Sequence, residues 1–144
     1  MKAIIVDLDG TLADIRVRLK HLEGRRKDWK SFNKTIETDE LHIWCREIIV
    51  RFSHDHYIIL VSGRTDELRE QTIEWLRRYE VPYHFLFMRK AFDMRPDNII
   101  KEEIYNQHIK DQYSVLFVLD DRQKVVDMWR SLGLVVLQCA PGNF

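Results

Sequence analysis

Three short, continuous apolar runs constrain most strongly how this chain can fold. They cover residues 3–6, 57–61 and 114–119, and each is followed directly by polar residues. Such runs are typical of strands buried on both faces, because a strand that faces water on one side alternates apolar with polar residues. The chain is therefore expected to form a parallel sheet with helices on both faces.

Amphipathic patterns lie between these runs. Apolar residues at three- and four-residue spacing predict helices, with Asp39 as the N-cap of the first. The predicted helices cover residues 39–53, 66–80, 97–108 and a segment from Arg122 to Leu132, and two further strands are predicted at 84–88 and 134–138. Right-handed crossovers then favour an α/β, doubly wound, Rossmann-like fold with five parallel strands in the order 3-2-1-4-5.

Length and composition favour one domain over residues 1–144. The chain is 45% hydrophobic, which allows a substantial core, and it carries 23 basic and 23 acidic side chains, which excludes a polycationic tail. Cys45 and Cys139 are far apart and predict two buried free thiols, although a disulfide remains open. No apolar run is long enough to span a membrane, and Met1 leads directly into the first strand, so we expect a cytoplasmic protein.

A basic insertion, residues 14–38, follows the first strand without forming a separate cap domain. Residues 16–34 carry eight Lys or Arg side chains, with Trp29 and Phe32 among them. Basic side chains interleaved with aromatic rings suit a polyanion with bases that can stack. A solvated surface segment whose aromatic residues pack against the domain explains the pattern equally well.

Carboxylates follow two of the buried strands. Asp7 and Asp9 end the first, and Asp120 and Asp121 end the fourth. The predicted strand order places these two strands side by side, so the four acids meet at one edge of the sheet, where open α/β folds bind ligands. Clustered acids require a cation. Lys101 supplies one charge, and Mg²⁺, which prefers oxygen ligands, supplies the other two.

The second buried strand also ends in polar residues. Ser62 offers a hydroxyl to a phosphate oxygen, Gly63 lets the backbone approach, and Arg64 adds a planar charged donor. A capped strand-to-helix turn would explain the same residues without a ligand. His54 and His56 have the spacing of a transition-metal pair, but without a third ligand nearby in the sequence a surface turn is favoured.

These strand-end motifs, in this order, resemble those of the haloacid dehalogenase (HAD) phosphohydrolase superfamily. The second half is more narrowly similar to the 3′-phosphatase domain of phage polynucleotide kinase/phosphatase. The similar segments are residues 93–104 (DMRPDNIIKEEI), 119–130 (LDDRQKVVDMWR) and 138–144 (QCAPGNF). Residues 19–50 match that family poorly, so the insertion is expected to seat substrate differently. The chain contains no Gly-x-x-x-x-Gly-Lys-Ser/Thr motif, and no kinase activity is expected.

The resemblance implies a role for each motif. Asp7 would attack phosphorus to form an aspartyl-phosphate, and Asp9 would act as general acid and then as general base. Ser62 and Lys101 would bind the transferring oxygens, and Asp97 would orient Lys101 through an ion pair. Mg²⁺ would be held by Asp7, the backbone carbonyl of Asp9, Asp120 and Asp121. The implied substrate-binding residues are Arg18, Arg64, Thr11, Gly63 and Asp97.

The function implied is Mg²⁺-dependent removal of a 3′-phosphate from nucleic-acid ends, with DNA and RNA both open. No membrane and no obligate protein partner are expected. A phosphatase of small molecules or mononucleotides would share the catalytic set and differ only in the access surface. A phospho-receiver signalling domain is disfavoured, because its third strand should end in a phospho-acceptor, whereas here residues 88–90 are Met-Arg-Lys.

Overall fold

A computed structural model of the chain describes residues 1–24, 26–28, 30 and 36–142. Within these ranges no helix has the length and apolar character needed to cross a membrane. The strands are β1 (Lys2–Val6), β2 (Ala13–Asp14), β3 (Glu40–Leu41), β4 (Tyr57–Thr65), β5 (Phe85–Arg89), β6 (Ser114–Arg122) and β7 (Val136–Gly142). The α-helices are α1 (Ile43–Phe52), α2 (Arg69–Arg78), α3 (Asp97–Ile104) and α4 (Gln123–Ser131).

Five strands form a parallel sheet in the order β5-β4-β1-β6-β7. This is the predicted 3-2-1-4-5 order, and the doubly wound fold is confirmed. β1 is the central strand, with β4 on one side and β6 on the other. The carboxyl ends of β4, β1 and β6 therefore lie next to one another, and these are the ends that carry the polar motifs.

The buried strands supply two cores, because successive side chains point to opposite faces of a sheet. In β1, Ile4 and Val6 join one apolar cluster, while Ala3 and Ile5 join the other. β4 and β6 alternate between the two clusters in the same way. This is why the runs are apolar at every position.

Each face of the sheet is covered by two helices. On one face lie Cys45 and Ile49 of α1 and Trp75 and Leu76 of α2. On the other face α4 contributes four buried side chains and α3 packs against them through Ile104; the four are Val125, Val126, Met128 and Trp129. The free energy of folding therefore comes largely from burying these apolar helix faces against the sheet.

The first predicted helix begins later than expected. α1 starts at Ile43, and a short 3₁₀ helix (Ile36–Thr38) and β3 occupy the preceding residues. The prediction of Asp39 as an N-cap is wrong, because its carboxylate accepts hydrogen bonds from the Arg18 Nε at 2.8 and 2.9 Å. The Asp39 carboxylate therefore binds the buried Arg18 guanidinium instead of capping the backbone amides at the start of a helix.

The insertion after β1 closes on itself. β2 and β3 pair antiparallel, which brings its two ends together beside the main sheet. Arg25, Trp29 and Phe32 lie outside the described residues, so the two interpretations of the basic aromatic stretch both stand. The organisation of residues 1–144 as one domain without a cap likewise stays a prediction.

Two smaller expectations are also resolved. The last strand covers Val136–Gly142, two residues later than predicted at its start, and it extends until Gly142 pairs with Arg122. Both cysteines are free thiols; Cys45 is buried as predicted, whereas Cys139 is only half-buried.

Trp75 tests this account of the core. We expect Trp75→Ala to lower the free energy of unfolding by about 3–5 kcal/mol, because the fully buried indole belongs to one of the two apolar clusters and donates a hydrogen bond to the Asp39 carbonyl at 3.0 Å. The half-exposed Trp44 of α1 provides the control, and Trp44→Ala should change the free energy of unfolding by less than about 1 kcal/mol. Urea denaturation measures both, and equal losses would contradict the assignment of Trp75 to the core.

Candidate active site

A cleft of about 380 Å³ opens at the carboxyl ends of β4, β1 and β6. Its walls carry carboxylates from β6 and the end of β1, arginine from β4 and lysine from α3. Segments far apart in the sequence reach this one place because parallel strands end at the same edge of the sheet. The lining includes Asp7, Asp9, Arg64, Lys101, Asp120 and Asp121.

Lys101 lies at the floor of the cleft between two of the acids. Its Nζ donates to Asp7 Oδ1 at 2.8 Å and to Asp120 Oδ2 at 3.1 Å. Burial alone would lower the pKa of Lys101, but Asp120 and Asp7 raise it above its ordinary value. Burial, with Asp120 adding to the effect, raises the pKa of Asp7 well above its ordinary range, and Lys101 opposes that rise. The lysine is thus a fixed positive charge.

Asp121 completes an acidic trio with Asp7 and Asp120. The Thr11 hydroxyl lies 3.3 Å from Asp7 Oδ2 and 3.4 Å from Asp121 Oδ1. Burial and the neighbouring Asp120 raise the pKa of Asp121 to about 6. Gly10 makes room for this carboxylate: its φ is +86°, and a Cβ there would lie 2.1 Å from Asp121 Oδ2.

The trio has the character of a divalent-cation site. One carboxylate oxygen from each of Asp7, Asp120 and Asp121 lies within 4.8 Å of the others. Hard cations such as Mg²⁺ bind oxygen ligands of this kind. Elsewhere in the described part of the chain no comparable cluster occurs, so His54 and His56 do not form one; His56 instead contacts the Asp55 carboxylate at 2.7 Å.

Asp9 is turned away from the trio and is held by two arginines. Arg18 hydrogen-bonds to its Oδ1, and the Arg64 Nε lies 3.1 and 3.2 Å from its two oxygens. Burial alone would raise the pKa of Asp9, but Arg64 and Arg18 together hold it well below its ordinary range. The carboxylate of Asp9 is therefore ionised at neutral pH and fixed at the edge of the cleft.

Asp39 lies beneath both arginines. Its Oδ2 is 2.7 Å from the Arg18 Nη2 and 3.7 Å from the Arg64 Nη2. Burial raises the pKa of Asp39 despite the opposing effect of Arg18. Arg18 itself is fully buried, and its partners include Asp9 and Asp39. Its predicted contact with substrate stays a prediction.

The predicted Ser62-Gly63-Arg64 motif lies at the end of β4. The Ser62 hydroxyl accepts a hydrogen bond from the Arg64 amide at 3.1 Å, which fixes its position at the end of the strand. Gly63 lines the cleft, and a Cβ there would lie 2.7 Å from the Asp97 carboxylate. The glycine thus lets α3 approach β4 closely.

Asp97 does not make the predicted ion pair with Lys101. Its carboxylate is held instead by Arg89, and by the Arg122 Nη1 at 2.6 Å. The first turn of α3 points Lys101 inward to the acids, whereas Asp97 faces the arginines at the ends of β5 and β6. Asp97 therefore anchors the start of α3, which places Lys101 without contacting it.

The sequence did not reveal five residues of the site. Asp39, Arg89 and Arg122 supply the two ion-pair networks described above. The Trp129 indole donates to Asp120 Oδ2 at 3.2 Å, and the Thr72 hydroxyl accepts from the Arg64 Nη1 at 3.1 Å. Arg89 directly follows an apolar strand, so the rule that found the other strand-end residues could have found it too.

Comparison with known proteins places this site in a family. The model of the polynucleotide kinase PNKP phosphatase domain, a member of the HAD group, matches residues 1–144. The chain belongs to this family. A protein of Autographa californica nuclear polyhedrosis virus, named "Putative bifunctional polynucleotide kinase/RNA ligase", is 30% identical over 137 residues, which are 92% of this chain and 18% of the viral protein.

Solved structures support the same assignment. A chain in the Pnkp1/Rnl/Hen1 complex is 39% identical with a TM-score of 0.85, over 99% of this chain and 47% of that one. A second chain, from the Pnkp1/Rnl/Hen1 RNA repair complex, is 38% identical with a TM-score of 0.86, and the match covers 99% of this chain and 43% of that one. A hydrolase from Streptococcus pneumoniae TIGR4 shares the fold at 17% identity and a TM-score of 0.61. This chain thus spans less than half of the viral protein and of the two repair-complex chains.

The network beneath Asp9 can be tested through Asp39. We expect Asp39→Asn to lower the free energy of unfolding by about 3–5 kcal/mol, because it leaves the buried Arg18 with one charged partner fewer. Glu40→Gln, at the exposed neighbour, is the control and should be nearly neutral. Urea denaturation measures both variants, and a neutral Asp39→Asn would show that the charge of Arg18 is compensated without Asp39.

The raised pKa of Asp121 predicts a pH-dependent effect on stability. Folding favours the protonated form of the Asp121 carboxyl, because its pKa is higher in the folded than in the unfolded protein. The stability that this carboxyl contributes is therefore fully present below about pH 4 and is lost as the pH rises through about 6. In the presence of a metal chelator, the free energy of unfolding of Asp121→Asn should therefore equal that of wild type near pH 4 and exceed it by on the order of 2 kcal/mol at pH 7.5. Chemical denaturation at both pH values measures this, and a difference that does not grow with pH would contradict the assigned pKa.

Proposed function

We propose that this domain is a Mg²⁺-dependent phosphomonoesterase that removes the 3′-phosphate from nucleic-acid ends through an aspartyl-phosphate. The observation that carries the proposal is the position of Asp7, whose carboxylate lies in the cleft between Lys101 and Thr11 and beside Asp120 and Asp121. An acid at the end of β1 in such a setting is suited to attack phosphorus. Membership of the PNKP phosphatase family supports the same chemistry.

Asp7, Asp120 and Asp121 would hold the magnesium ion, together with the backbone carbonyl of Asp9. The trio fits such an ion because its oxygens are close together, buried and all of the hard type. When bound, Mg²⁺ would offset the negative charge of the phosphate and of the carboxylates around it. Lys101 neutralises part of the charge on Asp7 and Asp120 through its direct contacts with both carboxylates.

Asp7 is the proposed nucleophile. Lys101 fixes its Oδ1 at 2.8 Å, and the Thr11 hydroxyl lies 3.3 Å from its Oδ2. These contacts restrict the rotation of the carboxylate and keep it pointed into the cleft, which lowers the entropic cost of attack. The Ser62 hydroxyl and Lys101 are the proposed donors to the oxygens of the phosphoryl group as it is transferred.

Asp9 is the proposed proton carrier. In its protonated form it would give its proton to the leaving 3′-oxygen, and the water that hydrolyses the aspartyl-phosphate would then return one proton to it, so each turnover restores the proton that it uses. The arginine contacts favour its ionised form, which suits the second step. For the first step Arg64 has to exchange Asp9 for the incoming phosphate, an anion that competes for the same guanidinium. Arg64 would thereby bind substrate and release Asp9 to carry a proton.

The remaining predicted substrate residues have structural roles as well. Gly63 lets α3 lie close to β4, and Asp97 holds Arg89 and Arg122, which line the cleft. Arg18 would act on substrate through Asp9, which it positions.

Nucleic acid is the proposed substrate class because the family description and two of the similar proteins name polynucleotide or RNA repair. The similar solved chains come from complexes with other proteins, so a protein partner is compatible with this proposal. The second candidate, a mononucleotide phosphatase, would use the same acids. A phospho-receiver would need an acceptor at the end of β5, where Arg89 instead binds the Asp97 carboxylate.

Replacement of the nucleophile gives a direct test. Asp7→Asn should reduce phosphate release by more than about a thousandfold, because an amide of the same shape cannot form the acyl-phosphate. Circular dichroism should show an intact fold, because Asp120 still pairs with Lys101. Asp127→Asn, an exposed carboxylate on α4, is the matched control and should retain full activity. Substantial turnover by purified Asp7→Asn would exclude Asp7 as nucleophile.

A substrate panel tests specificity and the metal together. Phosphate release from 3′-phosphorylated DNA and RNA oligonucleotides should exceed that from 3′-mononucleotides and from p-nitrophenyl phosphate when compared by kcat/KM. Chelation should abolish release, and Mg²⁺ should restore it. A preference for mononucleotides would favour the second candidate, and full activity in chelator would remove the metal from the proposal.

A further inference from the structure

The loop between β5 and α3, residues 90–96, exposes two large apolar side chains beside the cleft. Phe92 is 92% exposed and Met94 is 90% exposed, more than any other large hydrophobic residue in the described part of the chain. Leaving a phenylalanine ring in water gains nothing from the hydrophobic effect, so two such exposed side chains on one short loop are typical of a contact surface.

The backbone at Phe92 is unusual as well. Its φ is +68°, in the left-handed region that a bulky side chain rarely adopts and that glycine or asparagine adopts readily. A loop that only had to turn here would favour one of those two residues. The aromatic ring is thus present despite a conformational cost, which indicates a role for the side chain itself.

The loop is braced in place before any ligand binds. The Arg89 guanidinium donates to the Gly63 carbonyl and the Asp93 carbonyl, each at 2.8 Å, and also to the Arg95 carbonyl. The Ala91 amide donates to the Asp66 carboxylate at 3.0 Å. The loop that carries the Phe92 ring is therefore held by hydrogen bonds to its backbone and is joined through Arg89 to Gly63, which lines the cleft.

The loop also faces the proposed phosphate position. Met94, Arg95 and Pro96 line the same cleft as Asp7, and Lys124 lines it from α4. Lys124 is solvent-exposed and places positive charge at the mouth of the cleft, whereas the Arg95 guanidinium is paired with the carboxylates of Asp93 and Glu103. An apolar platform near a basic side chain matches a nucleotide, which joins an aromatic base to a charged phosphate through its sugar.

We propose that Phe92 and Met94 form the platform on which the terminal base of a 3′-phosphorylated strand stacks while its phosphate enters the cleft. This inference rests on the proposed function and specifies how the site distinguishes a polynucleotide end from a small phosphate ester. The Phe92 ring would contact the flat π-face of the base. Every base has such a face, so the contact selects for the presence of a base and not for its identity.

A base fits this surface better than a protein does. Two side chains on one loop offer far less than the roughly 1,200 Å² of total buried surface that a stable protein interface requires. One ring and one thioether, by contrast, are enough to cover a single base, and the flexible methionine adapts to purine or pyrimidine.

The test compares Phe92→Gly with wild type on three substrates: a 3′-phosphorylated oligonucleotide, the same oligonucleotide with an abasic terminal residue, and p-nitrophenyl phosphate. Glycine removes the ring and suits the positive φ, so the loop is retained. We expect Phe92→Gly to raise KM for the first substrate roughly 5- to 100-fold. Activity on the abasic oligonucleotide and on p-nitrophenyl phosphate should stay within about twofold of wild type.

Two controls sharpen the comparison. Phe92→Trp keeps a ring and should retain a KM close to that of wild type. Leu116→Ala removes an exposed apolar side chain from the amino-terminal half of β6, away from the cleft, and should leave all three substrates unaffected. Sedimentation velocity on wild type and Phe92→Gly detects any self-association through the patch.

The outcomes separate this inference from the proposed function. Wild type that is active on the oligonucleotide, together with an unchanged KM in Phe92→Gly, would overturn the platform alone. The same holds if the variant weakens p-nitrophenyl phosphate equally, or if its one effect is on self-association. Wild type that releases no phosphate from any 3′-phosphorylated oligonucleotide would overturn the proposed function and the platform with it.

Discussion

The structure depends on one buried contact, in which the Lys101 ammonium is shared by Asp7 and Asp120. Two carboxylates from neighbouring strands cannot both be buried and ionised without a compensating charge, and a buried lysine is equally costly alone. The partners lie 94 and 19 residues from the lysine in sequence, so the contact exists only when the strand order and the docking of α3 are both correct. The same contact fixes the atom that is proposed to attack phosphorus.

Two arginine–carboxylate networks flank this centre. On one side Arg18 and Arg64 surround Asp9 and rest on Asp39; on the other Arg89 and Arg122 hold Asp97. Each network is partly or fully shielded from water, where ion pairs gain more from proximity but leave a larger penalty when one partner is lost. The charges of these two networks are thus paired locally, whereas in the acidic trio Asp7 and Asp120 share the single charge of Lys101.

The sequence predicted the strand order and the converging acids because both follow from short-range patterns. A buried parallel strand is apolar at every position, and its end is where polar residues begin, as at Val6 and Asp7. The arginines that bind the other carboxylates were harder to predict. Asp39 before an amphipathic segment and Asp97 four residues before a lysine both fit local helix rules, yet each binds an arginine distant in sequence. Local spacing could not reveal these partners, since the insertion and the loop after β5 had to be placed in space first.

The brace around Arg89 has a consequence for how this domain can change. One guanidinium joins the end of β4, the loop after β5 and the start of α3 through main-chain carbonyls and a single carboxylate. Because the loop is held largely by its backbone, the side chains at positions 92 and 94 carry no share of that scaffold. Evolution, natural or in the laboratory, can therefore exchange them without disturbing that scaffold, within the limit that the positive φ sets on bulky residues at position 92. Substrate preference can then diverge among descendants of this chain while the reaction centre stays the same.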